Sequence, residues 1–277
     1  MNTAPIGIFD SGVGGLSVLR AIRDQHPAED IIFIADQAHV PYGPRPVEEV
    51  REFSVKITRF LLAQGTKLIV VACNTASAAA LHHLRALFPE IPFVGMEPAV
   101  KPAAEHSHTG VVGVIATPAT FQGRLYGSVV ERFAEGVTLM QDTCPGLVEQ
   151  IEAGKLDDPI TDSILHNALG KMITAGIDTV VLGCTHFPFV IPAIKRIVGE
   201  DVRVIDPAPA IARQVGRLLD KHHLHTNSMA PGITDFRTTG SPESMINFLT
   251  HLNISGSIYW QRPAPINVLC CIISKSA

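Results

Sequence analysis

Aromatic residues are scarce in this chain: 6% of 277 residues, with one Trp and three Tyr. Charged residues make up only 17%. Basic side chains do not dominate, with 22 Lys+Arg against 26 Asp+Glu and a formal net charge of −4. That balance excludes a polybasic surface for nucleic acid or membrane. Cysteine is sparse, and its count of five is odd, which argues against a disulfide framework. Free thiols in the reducing cytoplasm are expected instead. There is no C-x-x-C and no H-x₃₋₅-H pair, so zinc has little to bind. No apolar run reaches 18 residues, and the start (Met1-Asn2-Thr3-Ala4-Pro5) lacks a basic and then apolar leader pattern. Neither a transmembrane helix nor a signal peptide is expected.

Apolar residues are plentiful, at 46%, enough for a sizeable core in one large domain or two small ones. They fall in short runs that alternate with amphipathic stretches. Ile6–Phe9, Ile31–Ala35, Leu68–Ala72, Pro92–Gly95, Val111–Ala116, Val137–Met140, Thr179–Leu182, Val202–Ile205 and Ile233–Phe236 read as strands. Leu16–Asp24, Val47–Ala63, Ser77–Leu87, Ile160–Ala175, Ile191–Val198, Ala210–Leu219 and Glu243–His251 read as helices. Such alternation predicts an α/β fold with mainly parallel sheets.

The chain also repeats itself. Gly7-Ile8-Phe9-Asp10-Ser11 resembles Gly113-Val114-Ile115-Ala116-Thr117, and Cys73-Asn74-Thr75 resembles Cys184-Thr185-His186. Val94-Gly95-Met96-Glu97-Pro98 resembles Val204-Ile205-Asp206-Pro207. Order and spacing agree, which predicts two related halves facing each other across a cleft. Gly256–Ala277, with Tyr259-Trp260 and Cys270-Cys271, fits no part of this pattern.

Both cysteine segments end an apolar run, where ligands bind in open α/β sheets. Taken alone, each thiol reads equally as a core cysteine. The small residues Ala76–Ala80 after Cys73 suggest a helix start, which favours thiolate. Pro188 and Pro192 delay the helix after Cys184 and leave it in a loop, where His186 can share a proton. Asp10-Ser11-Gly12-Val13-Gly14-Gly15 is a strand-to-helix turn suited to an anion, yet it matches neither the dinucleotide nor the P-loop spacing. Asp10 there reads as an amino-group or proton-handling acid, or as a helix cap. Pro41-Tyr42-Gly43-Pro44 is a turn that can lay amides and a hydroxyl against a carboxylate. Glu152, alone near a helix end, reads as a solvated residue, and His82-His83 as surface histidines.

Taken in order, these segments resemble the glutamate racemase family, from about residue 5 to about residue 250. The matching pieces are Gly7–Leu16, Asp36 with Pro41-Tyr42-Gly43, Ala72–Ala76, Gly183–Pro188 and Ile205–Ala208. The resemblance implies two pseudo-symmetric α/β domains around a cleft: 1–97 plus 209–277, and 98–208. It implies interconversion of L- and D-glutamate without cofactor or metal, supplying D-glutamate for bacterial peptidoglycan. Cys73 and Cys184 would be the acid/base thiols, assisted by Asp10 and by His186 respectively, with Glu152 as a further acid near the histidine. Asp10, Ser11, Tyr42, Gly43, Asn74, Thr75, Thr185 and His186 would hold the substrate. The expected partner is small-molecule glutamate, with no nucleic acid and no membrane; a homodimer stays open.

The chemistry fits the residue types. Inverting an α-carbon needs one group to remove a proton and another to return one on the opposite face. A thiol titrates near ~8.5, within reach of working pH. An aspartate racemase on the same plan is the nearest alternative. A hydrolase using Cys184 with His186 leaves Cys73 without a task, and a binding protein would move no deuterium into its ligand.

Overall fold

The computed structural model describes residues 3–251, 257–258 and 269–270. In chain order its elements are β1 (Ile6–Asp10), α1 (Leu16–Gln25), β2 (Ile31–Ala35), α2 (Val47–Ala63), β3 (Leu68–Val71), α3 (Asn74–Leu87) and β4 (Phe93–Gly95). There follow α4 (Val100–His106), β5 (Val111–Ala116), α5 (Pro118–Gln122), α6 (Arg124–Phe133), β6 (Thr138–Asp142), α7 (Leu147–Glu152), α8 (Pro159–Thr174) and β7 (Thr179–Gly183). A 3₁₀ turn (Phe187–Val190) leads to α9 (Ile191–Val198), β8 (Arg203–Ile205), α10 (Ala208–Lys221), β9 (Thr234–Thr238), α11 (Pro242–His251), β10 (Ser257–Ile258) and β11 (Leu269–Cys270).

Two sheets result. The first runs β10-β9-β2-β1-β3-β4, with β11 antiparallel on β9, and the second runs β6-β5-β7-β8. All other pairings are parallel. Every residue of β1, β2, β3 and β7 is buried. Helices cover both faces of such strands, so they are uniformly apolar rather than alternating.

The order β2-β1-β3-β4 in one sheet equals β6-β5-β7-β8 in the other. The register agrees as well: Gly7 faces Ile69 and Gly113 faces Val180, each partner four residues before its cysteine. The repeat is therefore a repeat of topology. Its third motif needs a correction of one residue. Ile69 faces Phe93 and Val180 faces Val204, so Phe93, not Val94, is the counterpart of Val204.

The chain leaves the first sheet after β4, and α4 packs on β5, α6 and β7 in the second lobe. After β8 it returns. Asp206 accepts from the Ala208 amide at the start of α10 (2.8 Å), α10 packs on α1 and β4, and β9 joins β2. One hydrophobic cluster runs through both lobes, from Ile6 and Leu16 to Leu147, Leu182 and Phe187.

Helix α3 begins at Asn74, three residues earlier than the apolar pattern suggests, because Cys73 itself is the N-cap. Of the helices α4 to α7, only the end of α7 at Glu152 has a counterpart in the sequence reading. They are short or interrupted, with Gly127 inside α6. The strand expected at Ile233–Phe236 lies two residues further on at its C-terminal end. The odd segment at 256–277 falls outside the described residues apart from β10 and β11. Among the described residues no helix is long and apolar enough to cross a membrane.

Candidate active site

The matched registers carry Cys73 and Cys184 to the same place: the carboxyl ends of β3 and β7, each one strand away from its lobe's first strand. Both cysteines line one cleft. Ser11, Tyr42, Gly43, Asn74, Thr75, Thr185 and His186 line it too, together with Pro41 from the same turn as Tyr42, Thr117 from the repeat, and Val148, which carries no signal in the sequence. Asp10 and Glu152 stand behind this wall.

Cys73 is extended (φ −140°, ψ 124°), and its Sγ accepts the Ala76 N–H at 3.4 Å. On its other side it donates to Ser11 Oγ at 3.7 Å. Burial pushes this thiol well up, and the nearby Asp10 adds to the effect. Asp10 is itself fully buried, and its Oδ2 accepts the Gly15 N–H at 2.7 Å and the Gly12 N–H at 3.4 Å. Burial raises this carboxyl, while the charge of His186 and the Gly15 amide oppose the rise. Asp10 thus anchors the turn before α1 and is not on the cleft wall.

Cys184 Sγ lies 3.7 Å from His186 Nδ1. On the far side of the ring, Nε2 meets Glu152 Oε1 at 2.6 Å. The same Oε1 accepts the Val13 N–H at 2.7 Å. Burial works against charge on the ring, but Cys184 and Glu152 on its two sides outweigh it and raise His186 well above its ordinary value. Burial likewise opposes ionisation of Glu152, and its bonds to His186, Val13 and Gln37 overcome that and lower it. The pair is an imidazolium and a carboxylate. The solvated reading of Glu152 is overturned: its side chain is only 13% exposed. No local pattern signals this, because Val13 is 139 positions away.

The glycine-rich turn has a similar explanation. Three of its amides are already engaged, since those of Gly12 and Gly15 face Asp10 and that of Val13 faces Glu152. The glycines make room for the other lobe. A Cβ on Gly12 would fall 1.9 Å from Glu152 Oε1, and one on Gly14 would fall 2.5 Å from His186 Nδ1. Glu152 can swing away from a new methyl group, but only by leaving His186. Gly12→Ala is therefore expected to lower turnover by about 10²-fold while the melting temperature stays within a few degrees. Wild-type turnover in that variant would refute this account of the turn.

Tyr42 lines the cleft, and its hydroxyl proton is already engaged. It donates to Asp36 Oδ2, and burial keeps the phenol protonated. Asp36 also holds His39 Nδ1 (2.8 Å) and the Thr239 hydroxyl (2.6 Å), so it fixes the loop that presents Gly43. Thr75 Oγ1 meets Thr117 Oγ1 across the lobes at 2.9 Å, and Ser17 Oγ donates to Thr185 O at 3.0 Å. Asn74 is 3% exposed, lines the cleft, and neither its Oδ1 nor its Nδ2 has a partner. A buried carboxamide is not left unpaired without cost. Its donor and acceptor are available to a polar molecule in the cleft. His82 and His83 are exposed, in line with their surface reading. Among the described residues no cluster of three or more His, Cys, Asp or Glu is arranged to hold a metal ion.

The chain has relatives over nearly its whole length. A family model described as Asp/Glu/Hydantoin racemase matches residues 6–215. The glutamate racemase of Roseiflexus sp. (strain RS-1) is 49% identical over 252 residues, covering 90% of this chain and 92% of the relative. A glutamate racemase isoform from Bacillus anthracis superposes with a TM-score of 0.84 at 33% identity, over 92% of this chain and 96% of that one. The glutamate racemase of Francisella tularensis in complex with D-glutamate gives a TM-score of 0.80 at 29% identity, over 93% and 96%.

Proposed function

Because the chain belongs to the Asp/Glu/hydantoin racemase family, we propose that it interconverts L- and D-glutamate by proton transfer at two sulfurs. The observation that carries this reading is the meeting of two thiols, from matched strands of two lobes, in one cleft. Relatives named as glutamate racemases, one of them solved with D-glutamate, support the choice of substrate.

The two sulfurs have different surroundings, as a reaction with one base and one acid requires. Cys73 is buried beside a carboxyl and is held as the thiol, ready to donate. Cys184 has His186 Nδ1 at 3.7 Å, a ring that its two neighbours favour in the charged form and that can pass a proton to or from the sulfur. After one turnover the protonation states are exchanged, and the enzyme is set for the reverse direction. The α-proton of an amino acid is a very weak acid, so charge developing on the substrate carboxylate must be stabilised by fixed donors. Asn74 supplies an unpaired amide, and Ser11, Thr75, Thr185 and Gly43 surround it. Both proton transfers are supplied by side chains, so the reading calls for no cofactor. The D-glutamate formed would serve bacterial peptidoglycan.

The test is solvent exchange. In D2O the protein is expected to place deuterium at the α-carbon of both L- and D-glutamate while circular dichroism follows their interconversion. Aspartate and glutamine serve as comparisons. Absence of exchange with glutamate, or faster inversion of aspartate, would overturn the assignment.

A further inference from the structure

The Glu152 carboxylate has a third partner, which the reaction above does not use. Gln37 Nε2 donates to Glu152 Oε2 at 3.2 Å. The other end of the same carboxamide, Oε1, accepts the Thr238 hydroxyl at 2.8 Å. The orientation of this amide follows from chemistry. An ionised carboxylate only accepts hydrogen bonds, so the NH₂ end must face Glu152. Thr238 Oγ1 already accepts the Gly240 N–H at 3.0 Å, and this leaves its own proton for Gln37.

Sheet register builds the arrangement. Ala35 at the end of β2 faces Thr238 at the end of β9, and Gln37 follows two residues later. Gly240 then passes so close that a Cβ there would lie 2.7 Å from that of Gln37. A continuous line of polar contacts thus runs from Thr238 through Gln37, Glu152 and His186 to Cys184. Cys73 has a separate line, through Ser11 Oγ (3.7 Å) to Asp10 Oδ1 (3.5 Å), and Gln37 is not on it.

We infer that Gln37, oriented by Thr238, is a positioning residue for the Cys184 half of the reaction alone. It rests on the proposed racemase reading. It holds Glu152 in the rotamer that faces His186, and so keeps the imidazolium aimed at one sulfur and not the other. The segment after the second lobe thereby reaches a thiol that belongs to that lobe.

The test is Gln37→Leu, which keeps the bulk and removes the amide. We expect kcat to fall about tenfold, with KM within about twofold, since a hydrogen bond to a charged group is lost away from the substrate. Thr238→Val should lose about threefold and Thr238→Ser nothing, and the Gln37→Leu/Thr238→Val pair should lose no more than Gln37→Leu alone. The decisive readout is the isotope effect with α-deuterated glutamate. Slowing only the Cys184 step raises this effect for the enantiomer that Cys184 deprotonates and lowers it for the other. A general loosening of the cleft would move both in the same direction, and that result overturns the inference. So would wild-type kcat in Gln37→Leu. Wild-type protein that racemises no glutamate would instead refute the underlying reading, before any variant is compared.

Discussion

Replacing either thiol by a methyl group, Cys73→Ala or Cys184→Ala, is expected to lower racemisation by at least about 10³-fold. Each turnover requires one sulfur to take a proton and the other to give one. Loss of either therefore stops inversion in both directions. The remaining sulfur can still remove the α-proton on its own face and return deuterium to that face. In D2O each variant should then exchange one enantiomer slowly without inverting it, and the two variants should favour opposite enantiomers. Neither change should unfold the protein. The Sγ of Cys73 caps one amide at 3.4 Å, and loss of a cap costs about 1 kcal/mol. Polarimetry, mass spectrometry of the recovered glutamate and thermal melts measure these outcomes separately. Near-normal inversion by either variant would show that the reaction does not need both sulfurs.

Lys67→Met should produce the largest loss of stability, about 3–5 kcal/mol, without altering the cleft. Lys67 Nζ and Glu29 Oε2 lie 2.6 Å apart, with both side chains 3% exposed. Methionine fills the space but leaves the Glu29 carboxylate buried without its ammonium partner, with the Thr226 N–H at 2.8 Å and the partly exposed His225 Nδ1 at 3.8 Å as what remains. In a chain of this size the melting temperature should fall by roughly 6–20 °C. The double variant Glu29→Leu/Lys67→Met removes the stranded charge and should recover most of the loss. Neither residue lines the cleft, so turnover at low temperature should match wild type. A melt within about 2 °C of wild type would mean that the pair is compensated elsewhere.

How far the sequence could be read depends on how local each signal is. Strands buried on both faces are continuous apolar runs, and β1, β2, β3 and β7 are legible for that reason. The duplication is legible because its matches include the polar residues that end those strands. Helices α5 and α7 span only five and six residues, too few turns for periodicity to show. The thiols stand out because each follows its own strand directly. The glycine turn does not explain itself, because what crowds it, Glu152 and His186, arrives from the other half of the chain. Gln37 and Thr238 are invisible for the same reason: only the pairing of β2 with β9 makes them neighbours. The turn around Tyr42 offers a hydroxyl, and the nearby acceptor Asp36 engages its proton.

The polypeptide passes between the lobes twice, at 96–99 and at Asp206-Pro207. Between those crossings side-chain bonds bolt the halves together, Val13 to Glu152, Ser17 to Thr185 and Thr75 to Thr117. The spacing of the two proton carriers is thus set by the joint and not by either half on its own.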